Sequence, residues 1–109
     1  MRNVGNYRGR LDIIADILNV ASRDAKKTQI MYQANLSYKV LQRYLADVAR
    51  AELISFEVAR HCYSLTDKGR EFLAVYEKYA KTNRYVEKRL DDVATKRKTL
   101  ENLCPGEEL

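Results

Sequence analysis

The chain of 109 residues has room for one folded domain and at most an appendage, and its 46% hydrophobic and 32% charged content excludes a chain too polar to bury a core. The longest apolar run, Phe72 to Tyr76, is far short of the roughly 18 residues that span a bilayer, and Met1 to Asn6 has no apolar stretch behind it to act as a secretory leader, so a cytoplasmic protein is expected. Twenty Lys and Arg against fifteen Asp and Glu give a net charge of +5, and residues 1–66 hold ten basic and six acidic side chains, so the first part of the chain is the one that draws a polyanion.

Residues 1–7 read as an N-terminal arm. From Arg8 to Arg23, Leu11, Ile14, Ile17, Leu18 and Ala21 recur at helical spacing with Asp12, Asp16 and Asn19 between them, which predicts a first amphipathic helix. Ala25-Lys26-Lys27 interrupts the pattern. Thr28 can then cap a short second helix, Gln29 to Gln33 or Ala34, with Ile30, Met31 and Ala34 turned inward. Asn35 can take the left-handed conformation that ends a helix, Leu36 can fold back on Ile30 or Met31, and Ser37 can cap the next helix. Two helices joined by about three residues have the geometry of a helix-turn-helix. The second of the pair, Tyr38 to about Ala51, places Val40, Leu41, Tyr44, Leu45 and Val48 on one face and Lys39, Gln42, Arg43, Ala46 and Arg50 on the other.

Leu53 to Val58 alternates, with Ile54, Phe56 and Val58 on one side, and a second alternating piece, Cys62 to Leu65, returns after Ala59-Arg60-His61. Together they predict a β-hairpin whose tip lacks an Asn-Gly or Asp-Gly pair. Thr66 caps a last helix that opens with Asp67, favourable at the positive end of the helix dipole. Along it, Phe72, Tyr76, Tyr79, Asn83, Val86, Leu90, Val93, Arg97, Leu100 and Cys104 step by four and three, a heptad seam interrupted by Asn83 and Arg97. Pro105-Gly106 ends the helix, and residues 105–109 read as a flexible tail. A helix from Asp67 to Leu103 is about 55 Å long, longer than the preceding 66 residues can cover, so a partner helix is expected. The expected fold class is mainly α with a small β-hairpin: a winged helix-turn-helix domain over residues 8–73 and a coiled-coil dimerisation helix over 74–104.

The block Lys27-Thr28-Gln29-Ile30-Met31-Tyr32-Gln33-Ala34-Asn35-Leu36-Ser37-Tyr38, followed by Leu65-Thr66-Asp67-Lys68-Gly69, closely resembles the archaeal winged-helix family of small basic Sulfolobus DNA-binding proteins. The likeness covers about Leu11 to Leu73 and continues in pattern through the last helix. It implies a homodimer through an antiparallel coiled coil, with duplex DNA bound by the domains at its ends. Members resemble either transcription regulators or nucleoid-shaping proteins. The longer N-terminus and Gly-free wing tip depart from the family pattern.

Tyr38, Lys39, Gln42 and Arg43 stand where the N-terminal half of a recognition helix faces the major groove, and Arg and Gln can contact guanine and adenine through two hydrogen bonds. Lys26, Lys27 and Ser37 lie at helix starts, where backbone N–H groups suit a phosphate, although Ser37 also serves as a plain cap. Arg60 at the wing tip can reach a phosphate or the minor groove. Dimerisation falls to Tyr79, Asn83, Val86, Leu90, Val93, Arg97 and Leu100. Tyr44, Tyr76 and Tyr79 fall on stripes expected to be buried.

Cys62 and Cys104 lack the spacing of a disulfide framework or zinc cluster, and His61 beside Cys62 has no further ligand at useful spacing. Gly5, Gly9, Gly69 and Gly106 form no phosphate-cradling loop, and Asp91-Asp92 has no neighbouring His or Cys. No enzyme activity, cofactor, metal, membrane or small-molecule ligand is expected. Two functions compete: a dimeric, nucleoid-associated or regulatory binder of double-stranded DNA, and a winged-helix protein-interaction module dimerised by its coiled coil. A basic face on the third helix favours the first.

Overall fold

The computed structural model describes residues 8–106; the expected arm, 1–7, and the tail residues Glu107 to Leu109 lie outside the described residues. The order is α1 (Arg10–Ala21), α2 (Lys27–Gln33), α3 (Tyr38–Arg50), β1 (Ile54–Glu57), β2 (Cys62–Leu65) and α4 (Asp67–Leu103).

α1 is shorter at both ends than its apolar pattern predicts. Gly9 is the N-cap, and its N–H donates to the Asp12 carboxylate at 2.9 Å, which satisfies one of the donors a helix start leaves without a partner. Arg8 therefore stands outside the helix. After Ala21 the chain turns through Asp24 at φ 56°, and Ala25 then exchanges two backbone hydrogen bonds with Tyr63, at 3.0 and 2.8 Å. This single-residue bridge holds the chain extended and decides where α2 starts. Lys26 rather than Thr28 takes the N-cap, and its carbonyl accepts the first helical bond, from the Ile30 N–H at 3.0 Å.

The turn after α2 follows the residue chemistry. Asn35, at φ 55°, donates from its N–H to Tyr32 O at 3.2 Å, and the Leu36 N–H donates to Met31 O at 3.0 Å, a Schellman motif that satisfies the last carbonyls of the helix. Asn tolerates this left-handed conformation because its short polar side chain can bond locally. Leu36 packs against the core. Ser37 caps α3, its hydroxyl oxygen accepting the Val40 N–H at 3.3 Å. A second Schellman motif ends α3, with Glu52 at φ 64° and the Leu53 N–H donating to Val48 O at 2.9 Å.

β1 and β2 pair antiparallel, from Ile54 opposite Leu65 to Glu57 opposite Cys62. The four-residue turn between them closes on His61, at φ 52°, in place of the usual glycine. Only the base of the hairpin reaches the core: Ile54 and Cys62 are buried, whereas Phe56 and Val58, expected on the same apolar side as Ile54, are exposed. The ladder projects past the helices, so alternation persists with nothing beneath it. Phe56 packs instead on Tyr63, with ring centroids 4.9 Å apart.

Ile17, Leu18, Ile30, Leu41 and Val48 form the fully buried centre, each contributing about 1.5–3 kcal/mol of hydrophobic stabilisation. α4 is docked on this core by its first turns. Thr66 caps it, its hydroxyl oxygen accepting the Gly69 N–H at 3.0 Å while its hydroxyl donates to Glu52 O at 2.7 Å. Lys68 donates to Ala51 O at 2.8 Å, so two carbonyls at the end of α3 are satisfied by the start of α4. Gly69 is needed for this approach: a Cβ there would lie 2.2 Å from Leu53 O. Farther along, the Tyr76 hydroxyl donates to Asp12 on α1. Every described residue after Ala80 is exposed, and the described molecule measures 71 × 26 × 20 Å. The sequence places Tyr79 on a buried stripe, yet it is 48% exposed in the single chain because the domain ends beneath it.

Candidate nucleic-acid interface

The N-cap chemistry of Ser37 and the left-handed Asn35 aim α3 outward from the helix-turn-helix. Its inner face is pinned by the buried Leu41, Leu45 and Val48. The opposite face therefore presents Lys39, Gln42, Arg43, Ala46 and Arg50 to solvent, as the spacing predicts. Arg43 lies against the ring of half-buried Tyr44, 5.6 Å from its centroid, which biases its long side chain along the helix. Arg50, at the far end of this face, pairs with Asp47 at 3.4 Å.

The starts of α2 and α3 meet. The Lys27 ammonium lies 4.7 Å from the centroid of the Tyr38 ring and 3.4 Å from its hydroxyl. Lys26 is exposed beside it in sequence, and Ser37, also exposed, precedes Tyr38 with its hydroxyl oxygen engaged as the cap. The result is a cluster of cations next to backbone N–H groups that lack helical acceptors, the chemistry that suits a phosphate. Gln42 and Arg43, one turn on, have the planar donor geometry that base edges require.

Arg60 belongs to a different set of contacts. In the wing turn it donates from Nε and Nη2 to Glu57 at 2.9 and 2.6 Å, and Nη2 lies 3.4 Å from Asp24. Hydrogen bonding to Glu57 is the main cause, with smaller help from Asp24, of a guanidinium that holds its proton even more tightly than usual. A phosphate at Arg60 would have to displace these two carboxylates. The three-residue spacing of Glu57 and Arg60 is legible in the sequence, but the approach of Asp24 from 36 residues away is not.

A further functional residue escapes a reading of periodicity. Arg8 donates to Asp16, to Ala34 O and to Asn35 O, and so clamps the approach to the turn that aims α3. Its signal in the sequence is faint, a lone cation just before an amphipathic helix. Among the described residues no group of three His, Cys, Asp or Glu is arranged to hold a metal, and neither cysteine is in a disulfide. Cys62 is buried and Cys104 exposed. No helix of the described residues is long and apolar enough to cross a membrane.

A search of curated proteins finds no match to the chain. Among solved structures, the fold is similar to that of Sso10a-2, a DNA-binding protein from Sulfolobus solfataricus, with a TM-score of 0.65 and 20% identity over 92% of this chain and 100% of that one. It is also similar to a mutant of ZitR from Lactococcus lactis, with a TM-score of 0.50 and 19% identity over 85% of this chain and 68% of that one. At these identities the likeness speaks for the fold. The winged helix-turn-helix family profile matches residues 7–84, which take in every element from α1 to the first half of α4. With its short helix-to-helix turn, hairpin wing and Gly69-docked fourth helix, the chain belongs to the winged helix-turn-helix family.

Proposed function

We propose that the protein is a dimeric binder of double-stranded DNA, each copy laying α3 in the major groove. The observation that carries this reading is the exposed face of Lys39, Gln42 and Arg43 on the second helix of the helix-turn-helix, with Lys27 against Tyr38 at its entrance. Lys26, Lys27 and the start of α3 hold phosphates; Gln42 and Arg43 read base edges. Arg60 adds a wing contact when phosphate displaces its carboxylate partners. Residues 8–73 act as the binding domain and 74–104 as the dimerisation helix, whose seam residues Tyr79, Val86, Leu90, Val93 and Leu100 are exposed in the single chain. Sso10a-2, similar in fold, is a DNA-binding protein, which supports the same assignment.

Such a dimer serves in the cytoplasm as a transcription regulator or a nucleoid-associated architectural protein. A gel-shift titration with duplex DNA tests the reading. Retarded complexes at micromolar protein or below, weakened by added salt, are the expected result; no shift at low salt overturns it. Repeating the titration on unrelated duplexes separates the two roles, since a regulator discriminates between them and an architectural protein does not.

A further inference from the structure

At the junction of α4 with the domain lies an apolar groove of about 420 Å³ lined by Leu11, Leu53, Phe72, Val75, Tyr76 and Tyr79. It continues directly into the heptad seam, because Phe72, Tyr76 and Tyr79 are that seam's first three members. At the other end of α4, Leu100 and Leu103 are 66% and 77% exposed, and Cys104 is also exposed. One chain thus carries an open apolar groove and, one helix length away, an uncovered apolar tip.

The spacing of the seam joins the two. Its steps of four and three read the same in both directions from the central step between Val86 and Leu90, so reflection about Lys88 maps the seam onto itself. Phe72 is then paired with Cys104, Tyr76 with Leu100, Tyr79 with Arg97, Asn83 with Val93 and Val86 with Leu90. The flanking positions agree, since Val75 falls beside Leu103 and Ala80 beside Ala94. The two polar members are accommodated as well. Arg97 meets the face of a tyrosine ring, a favourable contact, whereas a parallel pairing would set two Arg97 guanidinium groups against each other in the seam. Sliding the reflection by a heptad leaves either Phe72 and Tyr76 or Leu100 and Cys104 without a partner.

We infer that two copies pair antiparallel in the register centred on Lys88, and that each groove is filled by the partner's Leu100, Leu103 and Cys104. This rests on the dimer proposed above and adds what that reading lacks, the register and a contact between helix tip and domain. The tip touches Leu11 of α1 and Leu53 at the end of α3, so each DNA-facing domain is held by both helices. The occupant is a second copy because the same α4 supplies both the groove's continuation and the apolar side chains that complete it.

The test uses the full chain with Asn102→Cys, an outward position, on a Cys104→Ser background; buried Cys62 stays unlabelled. Spin labels on the two copies should lie about 42 Å apart, the axial rise over twice fourteen residues. A separation of about 31 or 52 Å means a register one heptad away, and about 20 Å or less means a parallel pair; either overturns the inference and leaves the dimer standing. In a second measurement, Leu103→Asp should weaken dimerisation by about tenfold or more in sedimentation, while the helical circular dichroism of the dilute chain stays unchanged. An unaltered dimer affinity overturns the filling of the groove. A full-length chain that sediments as a monomer overturns this inference and the dimer together.

Discussion

Arg8 and Asp16 meet at 2.8 Å, and the same guanidinium donates to Ala34 O at 2.7 Å and Asn35 O at 2.8 Å. One cation outside α1 thus satisfies carbonyls at the end of α2 and in the turn beyond it. Both side chains of the ion pair are only about one-fifth exposed, so the bonds form in partly dried surroundings. Arg8→Ala is expected to cost about 2 kcal/mol in urea denaturation, the range for hydrogen bonds to a charged group. Arg8→Lys should recover only part, since a point charge cannot reach three acceptors as a planar fork does. A loss below about 0.5 kcal/mol for the alanine variant would show that the clamp adds nothing to the fold.

Gly69 answers to a different constraint. A methyl group there meets Leu53 O at 2.2 Å and Leu65 Cδ1 at 2.5 Å, and the backbone oxygen cannot swing aside as a flexible side chain would. Gly69→Ala should destabilise by about 1–3 kcal/mol, despite the better helix propensity of alanine. A thermal melt reads this as a drop of roughly 4–8 °C per kcal/mol for a domain of this size. An unchanged or raised melting temperature would mean that α4 is not held against Leu53 in solution.

The third prediction separates phosphate from base contacts on α3. Lys39→Ala should weaken binding to all duplexes alike and flatten the slope of log affinity against log salt by roughly one unit per lost contact. Gln42→Ala and Arg43→Ala should each cost about 1–3 kcal/mol on a preferred site and much less on random DNA. Glu77→Gln and Glu87→Gln, on α4 outside the seam, are the controls. If the triple variant at Lys39, Gln42 and Arg43 keeps both affinity and slope, α3 is not the binding face.

At the wing, Glu57 holds Arg60 at 2.6 Å and adds a negative charge where a phosphate would approach. Glu57→Gln should raise affinity for duplex DNA by a few-fold at low salt, and the gain should shrink as ionic strength rises, because the Debye length falls to about 8 Å at 0.15 M. Arg60→Ala should lower affinity under the same conditions. An Arg60→Ala variant that binds as well as the parent would remove the wing from the interface.

Shortening α4 tests its division of labour. A chain ending after Lys78 retains Gly69, Phe72 and Tyr76, which dock α4 on the domain, and loses most of the exposed seam. Sedimentation should find it monomeric and circular dichroism should find it folded. Persistence of the dimer would locate its interface elsewhere on the domain.

Much of this architecture follows from short stretches of sequence. Thr66 with Asp67 starts α4 and Pro105 follows its end, so its span from Asp67 to Leu103 matches expectation, as does the outward face of α3. The turn at Asn35 is legible for the same reason: capping, left-handed tolerance and heptad spacing act over a few residues. What the sequence alone determined was therefore the order of elements and which side chains share a face. Tertiary structure decided the rest through contacts between distant residues. Tyr63 pairs with Ala25 and moves the start of α2 to Lys27. Asp24 reaches Arg60, and Arg8 reaches across to the end of α2. Phe56 and Tyr79 lie on apolar stripes yet are exposed, because periodicity aligns side chains whereas burial requires another element to lie over them.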